Sequence, residues 1–119
     1  REESELWSFT YVMAEEPKPV WVPLYRFYKG GEATRDHFYT TSPTQGTDAI
    51  SRGYTYERVE CYVSDRRYPA SIPLMRLYKP AINTHFYTTS QTEKDLKIIS
   101  GYNYEGIQAF VGKRAPKFV

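Results

Sequence analysis

The sequence predicts a mainly β fold (α+β) of antiparallel strands with two short helices, and three observations support it. A stretch of sequence occurs twice, as residues 22–63 and 72–111. Each copy begins and ends with runs of aromatic and aliphatic residues that are typical of strands. Between those runs, each copy carries the start and stop signals of one short helix. We therefore predict a single domain over residues 1–119, with two internal repeats that each have the order strand–strand–helix–strand.

Three motifs carry the repetition. Residues 23–29 (PLYRFYK) match 73–79 (PLMRLYK), residues 37–42 (HFYTTS) match 85–90, and residues 53–57 (GYTYE) match 101–105 (GYNYE). Over the blocks 23–29 and 37–63 and their counterparts, 18 of 34 positions are identical. Unrelated segments do not share that much, so the chain contains an internal duplication. Residues 5–12 (ELWSFTYV) resemble the end of each repeat, and we expect them to add an N-terminal strand as a partial third copy.

Turn-forming residues separate the predicted strands. Pro23 and Pro73 open the first strand of each repeat, a position at which strands tolerate proline. A loop then follows, GGEATRD in the first copy and PAINT in the second, and both contain turn residues. HFYTTS reads as the second strand of a hairpin, and GYTYERVECYV or GYNYEGIQAFV as the third strand of the repeat.

Both helices have recognisable ends. A serine at the N-cap, Ser42 or Ser90, accepts a hydrogen bond from a free backbone N–H. Three residues later a Gln or Glu follows, as in a capping box, and Gly53 or Gly101 stands where a left-handed residue ends a helix. The predicted helices cover residues 43–52 and 91–100.

Helices this short are stable only when they dock an apolar face on the rest of the protein. In the first helix we expect that face to be Ala49 and Ile50. In the second helix we expect it to be Leu96, Ile98 and Ile99.

Composition excludes several classes of protein. Sixteen Lys and Arg against fourteen Asp and Glu leave a net charge of +2, which is too small for the electrostatic surface that nucleic-acid binding requires. No apolar run approaches the ~20 residues of a membrane-spanning helix. Cys61 is the single cysteine, so no intrachain disulfide forms, and we expect it to be a small buried apolar side chain.

The repeated polar and aromatic residues are the candidates for a ligand-binding site. Aromatic residues make up 17% of the chain, with 12 Tyr, and tyrosine combines an apolar ring with a polar hydroxyl. Such residues are suited to binding sugars, because the C–H faces of a sugar lie on aromatic rings and the sugar hydroxyls pair with polar side chains. The candidate ligand contacts are Arg26, Asp36, His37, Tyr39, Tyr56, Glu57, Arg76, Asn83, His85, Tyr87, Tyr104 and Glu105.

Each candidate also has a structural interpretation. His37 and His85 can hold a hairpin by bonding a neighbouring loop, Arg26 and Arg76 can pair with the glutamates of GYTYE and GYNYE, and the tyrosines can form an aromatic core. A metal site requires several ligands close together. Because each repeat has one histidine and no companion cluster, we predict no metal and no cofactor.

Motifs of catalysis are absent from the sequence. It contains no G-x-S-x-G, no H-E-x-x-H and no phosphate-binding glycine loop, and Cys61 corresponds to Ala109 in the second copy. Catalysis needs one asymmetric group of residues, whereas the features here are duplicated. We therefore predict that the protein is not an enzyme and has no catalytic residues.

The blocks P-L-x-R-x-Y, HFYTTS and G-Y-x-Y-E, which span residues 22–111, resemble a family of tandem HFYTTS repeat domains, a domain of unknown function found in extracellular proteins. The resemblance implies secretion and a non-catalytic, lectin-like or adhesive role. On the motif positions of that family lie His37, His85, Tyr39, Tyr87, Glu57 and Glu105.

These observations lead to an extracellular, lectin-like module that recognises a glycan or glycoprotein surface through a site in each repeat. The alternative is a structural or self-association module, in which exposed tyrosines and an unpaired strand make a homo-oligomer. An inhibitor or toxin that acts on a partner protein is a third possibility, compatible with the size of the chain.

Overall fold

The computed structural model describes residues 16–31 and 35–113. These residues form a six-stranded sheet in the order β2-β1-β3-β6-β4-β5. The strands are β1 (Trp21–Gly30), β2 (Arg35–Thr40), β3 (Thr55–Ser64), β4 (Ser71–Lys79), β5 (Thr84–Thr88) and β6 (Asn103–Gly112). Helix α1 (Pro43–Ser51) follows β2, and helix α2 (Gln91–Ile99) follows β5. The prediction of a mainly β fold with antiparallel strands and two short helices is confirmed.

The order strand–strand–helix–strand occurs over residues 21–64, called the first unit below, and again over residues 71–112, the second unit. The hairpins have matching registers, with Tyr28 opposite His37 in the first unit and Tyr78 opposite His85 in the second. The N-terminal strand predicted at residues 5–12 lies outside the described residues.

The two units meet along two lines. Between β3 and β6 the ladder consists of the pair Ser64 and Phe110, so the sheet is barely continuous there. The strands at the two edges of the sheet, β2 and β5, lie against each other. A core shared by both units fills the space between them: Leu24, Tyr39, Val63, Leu74, Ala109 and Val111, with the half-buried Cys61 packed against it.

The predicted helix starts are correct, and each helix ends one residue before the predicted position. The Ser42 hydroxyl accepts from the Gln45 N–H at 3.1 Å, and the Ser90 hydroxyl accepts from the Glu93 N–H at the same distance. Gly53 follows α1 with φ of +100°, in the left-handed region that favours glycine. The side chains of Gln45 and Glu93 turn instead to the hydroxyls of Thr40 and Thr88, so each helix start is tied to the strand before it.

The predicted apolar docking face is half right for α1 and wrong for α2. Ala49 is buried in a cluster with Phe27, Phe38 and Tyr54, but Ile50 is 54% exposed. In α2 the apolar residues Leu96, Ile98 and Ile99 are 61%, 43% and 81% exposed.

The inward-facing positions of α2 are lysines. Lys97 Nζ lies 4.4 Å from the centre of the Phe86 ring, and Lys94 Nζ lies 5.0 Å from the centre of the Tyr104 ring. Long cationic side chains cover apolar surface with their methylene groups and keep the charge near aromatic faces or water. This packing by lysine stems takes the place of the apolar face that the sequence predicted.

Candidate functional site

Two β-bulges set the direction of the glutamates in the third strand of each unit. In the second unit Arg76 pairs with Gly106 and Leu77 with Tyr104, which leaves Glu105 as the extra residue. A bulge bends its strand and re-aims the inserted side chain. The Glu105 carboxylate thereby accepts from Arg76 Nε at 2.8 Å. The first unit repeats the arrangement, with Arg26 Nε 2.7 Å from Glu57, so the predicted Arg–Glu pairs are both present.

A buried carboxylate joins the two units. Asp36, at the start of β2 and 3% exposed, accepts from the His85 backbone N–H at 2.6 Å. It also accepts from the Tyr54 hydroxyl at 2.5 Å and lies 2.6 Å from His85 Nδ1. An ionised carboxylate only accepts hydrogen bonds, which assigns a proton to Nδ1. Asp36 therefore links the second strand of the first unit to the histidine of the second unit.

The charges of this cluster follow from its burial and hydrogen bonds. Burial raises the pKa of Asp36, but the hydrogen bonds from His85 and Tyr54 outweigh it and hold the pKa of the carboxyl below its ordinary value. Burial and the Asp36 charge raise the pKa of the Tyr54 hydroxyl. The cluster thus keeps an ionised aspartate and a protonated tyrosine.

The second unit also bonds the backbone of β2. The Tyr39 N–H donates to the Tyr87 hydroxyl oxygen at 2.7 Å, and that hydroxyl donates to the Tyr39 carbonyl at 3.1 Å. Arg76 Nη1 lies 3.3 Å from the same carbonyl, and its guanidinium lies 4.8 Å from the centre of the Phe38 ring. These contacts fix the orientation of one unit on the other.

A cleft of about 300 Å³ lies beside this contact, between the two units. The first unit lines it with Lys29, Phe38, Gln45, Asp48, Arg52 and Tyr54, and the second unit with Arg76, Tyr78, Asn83, His85 and Glu105. The sequence predicted a separate site in each unit, whereas this cleft takes different positions from each.

Several polar groups of the cleft have hydrogen-bonding capacity that no described residue uses. Glu105 accepts from Arg76 through Oε1, which leaves Oε2. Asn83 accepts from the Tyr78 hydroxyl through Oδ1 at 2.6 Å, which leaves its NH₂ group. His85 Nδ1 is engaged by Asp36, and Nε2 lies 3.9 Å from Glu105 Oε1, beyond hydrogen-bond distance. These three lining residues thus leave one acceptor, one amide donor and one imidazole nitrogen unused.

The structure distributes the twelve predicted site residues over four places. Arg76, Asn83, His85 and Glu105 line the cleft. Asp36 and Tyr39 are buried, and Tyr87 is held between the units by its hydrogen bonds to Tyr39. Arg26, His37 and Glu57 form a cluster of their own in the first unit, where Arg26 Nη2 lies 2.8 Å from His37 Nε2. Tyr56 and Tyr104 are 45% and 43% exposed beside the helices.

Seven cleft residues were not among the predicted contacts. They are Lys29, Phe38, Gln45, Asp48, Arg52, Tyr54 and Tyr78. Tyr54 and Tyr78 belong to the repeated tyrosines, Lys29 ends the PLYRFYK motif and Phe38 stands in HFYTTS, so the motifs contained a signal for four of them. Gln45, Asp48 and Arg52 lie on or after α1, where polar residues are usual on an exposed face.

Within residues 16–31 and 35–113, no group of three or more His, Cys, Asp and Glu side chains is placed to hold a metal ion. No helix of that part of the chain is long and apolar enough to cross a membrane.

Comparison with known families identifies the chain. A family model described as "Domain of unknown function (DUF5648)" matches residues 2–112, nearly the whole sequence, and the chain belongs to that family. No curated protein and no solved structure matches it.

Proposed function

We propose that the protein is a non-catalytic binding module that holds carbohydrate in the cleft between its two units. The observation that carries the proposal is the convergence of unused hydrogen-bonding groups and aromatic rings in a cleft of about 300 Å³. Small-molecule sites combine a concave surface with a few polar groups that fix the orientation of the ligand. Sugars fit that description because each ring carries hydroxyls on its edge and C–H groups on its faces.

The polar groups of the cleft suit sugar hydroxyls. A hydroxyl both donates and accepts, so it can donate to Glu105 Oε2 and accept from the Asn83 amide. The half-buried ring of Tyr78 stands beside Asn83, held by its 2.6 Å hydrogen bond, and offers an apolar surface to a C–H face. These three residues make the part of the cleft that we assign to the sugar.

The charges in the cleft support binding in preference to chemistry. Arg76 is paired with Glu105 at 2.8 Å, Arg52 with Asp48 at 3.3 Å, and His85 with Asp36 at 2.6 Å. Lys29 Nζ donates to the Arg52 carbonyl at 2.9 Å, so each of these side chains is engaged in a structural contact. What these pairs leave for a ligand is hydrogen-bonding capacity, which holds a molecule without transforming it.

We further propose that the two units are internal repeats of an HFYTTS-type domain and that the protein acts outside the cell. The 18 identities in 34 aligned positions and the matching hairpin registers support the first statement. The second rests on the resemblance of the motifs to extracellular domains.

A glycan array, followed by calorimetric titration with a panel of neutral mono- and disaccharides, tests the proposal. We expect Glu105→Gln and Asn83→Asp to weaken binding about tenfold, since each removes or inverts one hydrogen bond to the ligand. Asp retains the left-handed backbone of Asn83, where φ is +50°.

Glu57→Gln is the matched control, because Glu57 makes the same bulge and the same Arg pair as Glu105 but does not line the cleft. We expect its affinity to equal that of the wild type. A blank array with folded protein, or equal losses for the two glutamate variants, would refute a sugar site in this cleft.

Self-association is the second candidate function, favoured by the exposed apolar surface of α2. Leu96 and Ile99 are 61% and 81% exposed and lie three residues apart, on the same side of α2, and contiguous exposed apolar surface marks interaction sites. Sedimentation velocity across a hundredfold range of concentration tests it. We expect Ile99→Lys to shift any oligomer to monomer, whereas a wild type that stays monomeric throughout removes this candidate.

A further inference from the structure

A second concave surface, distinct from the inter-unit cleft, lies beside α1 in the first unit. This groove has a volume of about 410 Å³, and its lining is mostly apolar: Tyr25, Phe27, Pro43, Gly46, Thr47, Ile50 and Tyr56. Two of its walls are open to solvent, because Tyr56 is 45% and Ile50 54% exposed. The rings of Phe27 and Tyr56 meet edge to face with centres 5.4 Å apart.

Gly46 lines the groove and makes room for the Phe27 ring. It lies in the middle of α1, where glycine disfavours a helix relative to alanine, so a packing reason is needed for it. A Cβ atom at this position would lie 2.8 Å from Cζ of Phe27, closer than side-chain carbons approach each other. The Phe27 ring therefore excludes a side chain at position 46, so α1 extends no side chain from this position over the groove.

In the second unit the same place is filled by the protein itself. Lys94 occupies the position that matches Gly46, and Leu77 the position that matches Phe27. The smaller Leu77 leaves space for a side chain on the helix. Lys94 lies along this surface with its side chain 15% exposed and its Nζ 5.0 Å from the centre of the Tyr104 ring, the ring that matches Tyr56.

We infer that the groove beside α1 binds a lysine side chain of a partner polypeptide, in the position that Lys94 takes in the second unit. The methylene chain packs against Phe27 and Ile50, and the ammonium group lies over the face of Tyr56, which attracts cations. Long cationic side chains favour such surfaces because they bury the stem and keep the charged end near water.

The groove also differs from its counterpart in one polar group. In the second unit Lys94 Nζ lies 3.4 Å from Asp95, and the matching residue in the first unit is Thr47. Its hydroxyl donates to the Pro43 carbonyl at 3.1 Å, so its lone pairs remain to accept from an ammonium group. With a hydroxyl in place of a carboxylate, binding of a single lysine is expected in the millimolar range.

Titration of ¹⁵N-labelled protein with acetyl-Gly-Lys-Gly-amide, followed by amide shifts, tests the inference. We expect saturable shifts at Gly46, Thr47 and Tyr56. The same peptide with norleucine in place of lysine keeps the apolar chain and removes the charge, and we expect it to bind about two- to fivefold more weakly. Equal binding of the two peptides would overturn the cationic part of the inference.

Two variants fill the groove of the first unit or empty the matching surface of the second. Phe27→Leu with Gly46→Lys gives the first unit the residues of the second, and we expect the shifts at Tyr56 to disappear. Lys94→Ala empties the surface over Tyr104 without adding glycine to α2, and we expect a second set of saturable shifts there. Unchanged binding by the double variant, or no new site in folded Lys94→Ala, would refute the assignment. Glu105→Gln leaves this groove intact, so failure of the sugar proposal and failure of this one are distinguishable.

Discussion

Asp36→Asn tests whether a buried charge holds the two units together. The carboxylate is 3% exposed and accepts from the backbone and the ring of His85 and from the Tyr54 hydroxyl. Asparagine keeps the size of the side chain and one acceptor oxygen. Its NH₂ group, however, takes the place of the oxygen that accepts from the Tyr54 hydroxyl and from His85 Nδ1. Hydrogen bonds to a charged group contribute about 1.5–3 kcal/mol each, against about 0.5–1.5 kcal/mol for neutral ones. For the two bonds at the replaced oxygen, we expect a loss of about 2–4 kcal/mol in the free energy of unfolding.

The pH dependence of that loss is the sharper test. Burial raises the pKa of Asp36, but the hydrogen bonds from His85 and Tyr54 outweigh it, so the folded pKa lies below the ordinary value. As the pH falls, the unfolded chain therefore binds the proton first. The stability contributed by this carboxylate is complete above the unfolded pKa of about 3.9 and is lost as the pH falls through the folded value. Asparagine does not titrate at this site, so the difference between wild type and variant shrinks below about pH 4.

Urea denaturation followed by far-UV circular dichroism, at pH 7 and pH 3, measures both quantities. Asp48→Asn is the control, because Asp48 is 61% exposed and pairs with Arg52 at 3.3 Å, and an exposed pair contributes at most about 1 kcal/mol. A loss below about 1 kcal/mol for Asp36→Asn at pH 7 would refute the buried-charge argument. So would a loss that stays the same at pH 3.

Three further predictions concern the helix ends and a histidine. Ser90→Ala removes the N-cap acceptor of α2 and is expected to cost about 1 kcal/mol in urea denaturation, and a cost no greater than that of Ser100→Ala would contradict it. Gly53→Ala places a side chain at φ of +100° and is expected to cost about 1–2 kcal/mol, whereas Gly112→Ala, whose Cβ meets nothing within 4 Å, should be neutral. Burial and the neighbouring Arg26 lower the pKa of His37, so the unfolded chain is protonated first and stability falls as the pH drops through about 6.5. His37→Gln should flatten that slope between pH 7 and 5, and an unchanged slope argues against it.

The parts of the fold that local chemistry controls could be predicted from the sequence. Strands, hairpins and helix ends depend on turn residues, serine caps and positive-φ glycines, and Ser42, Ser90 and Gly53 behave as predicted. The prediction of an apolar docking face on α2 was wrong, because an apolar pattern does not say which side chains reach the neighbouring strand. Lys97 reaches the Phe86 ring at 4.4 Å through its methylene stem, while Ile99 points outward. A lysine that covers an aromatic surface looks polar in sequence and acts as part of the packing.

The site was harder to predict because matching residues in the two units have different neighbours. Arg26 and Arg76 occupy the same motif position, yet Arg26 contacts His37 of its own unit while Arg76 reaches the Tyr39 carbonyl of the other unit.

The contact between Arg76 and the Tyr39 carbonyl joins one face of the first unit to a different face of the second. The residues that meet in the cleft, Lys29 and Gln45 on one side and Asn83 and His85 on the other, are therefore never matching positions of the two units. A comparison of the two units lines up matching positions and finds what the units share, which is the order of strands and helix. The cleft depends on how one unit faces the other, and that is determined by the buried contacts of Asp36 and Tyr87 across the units.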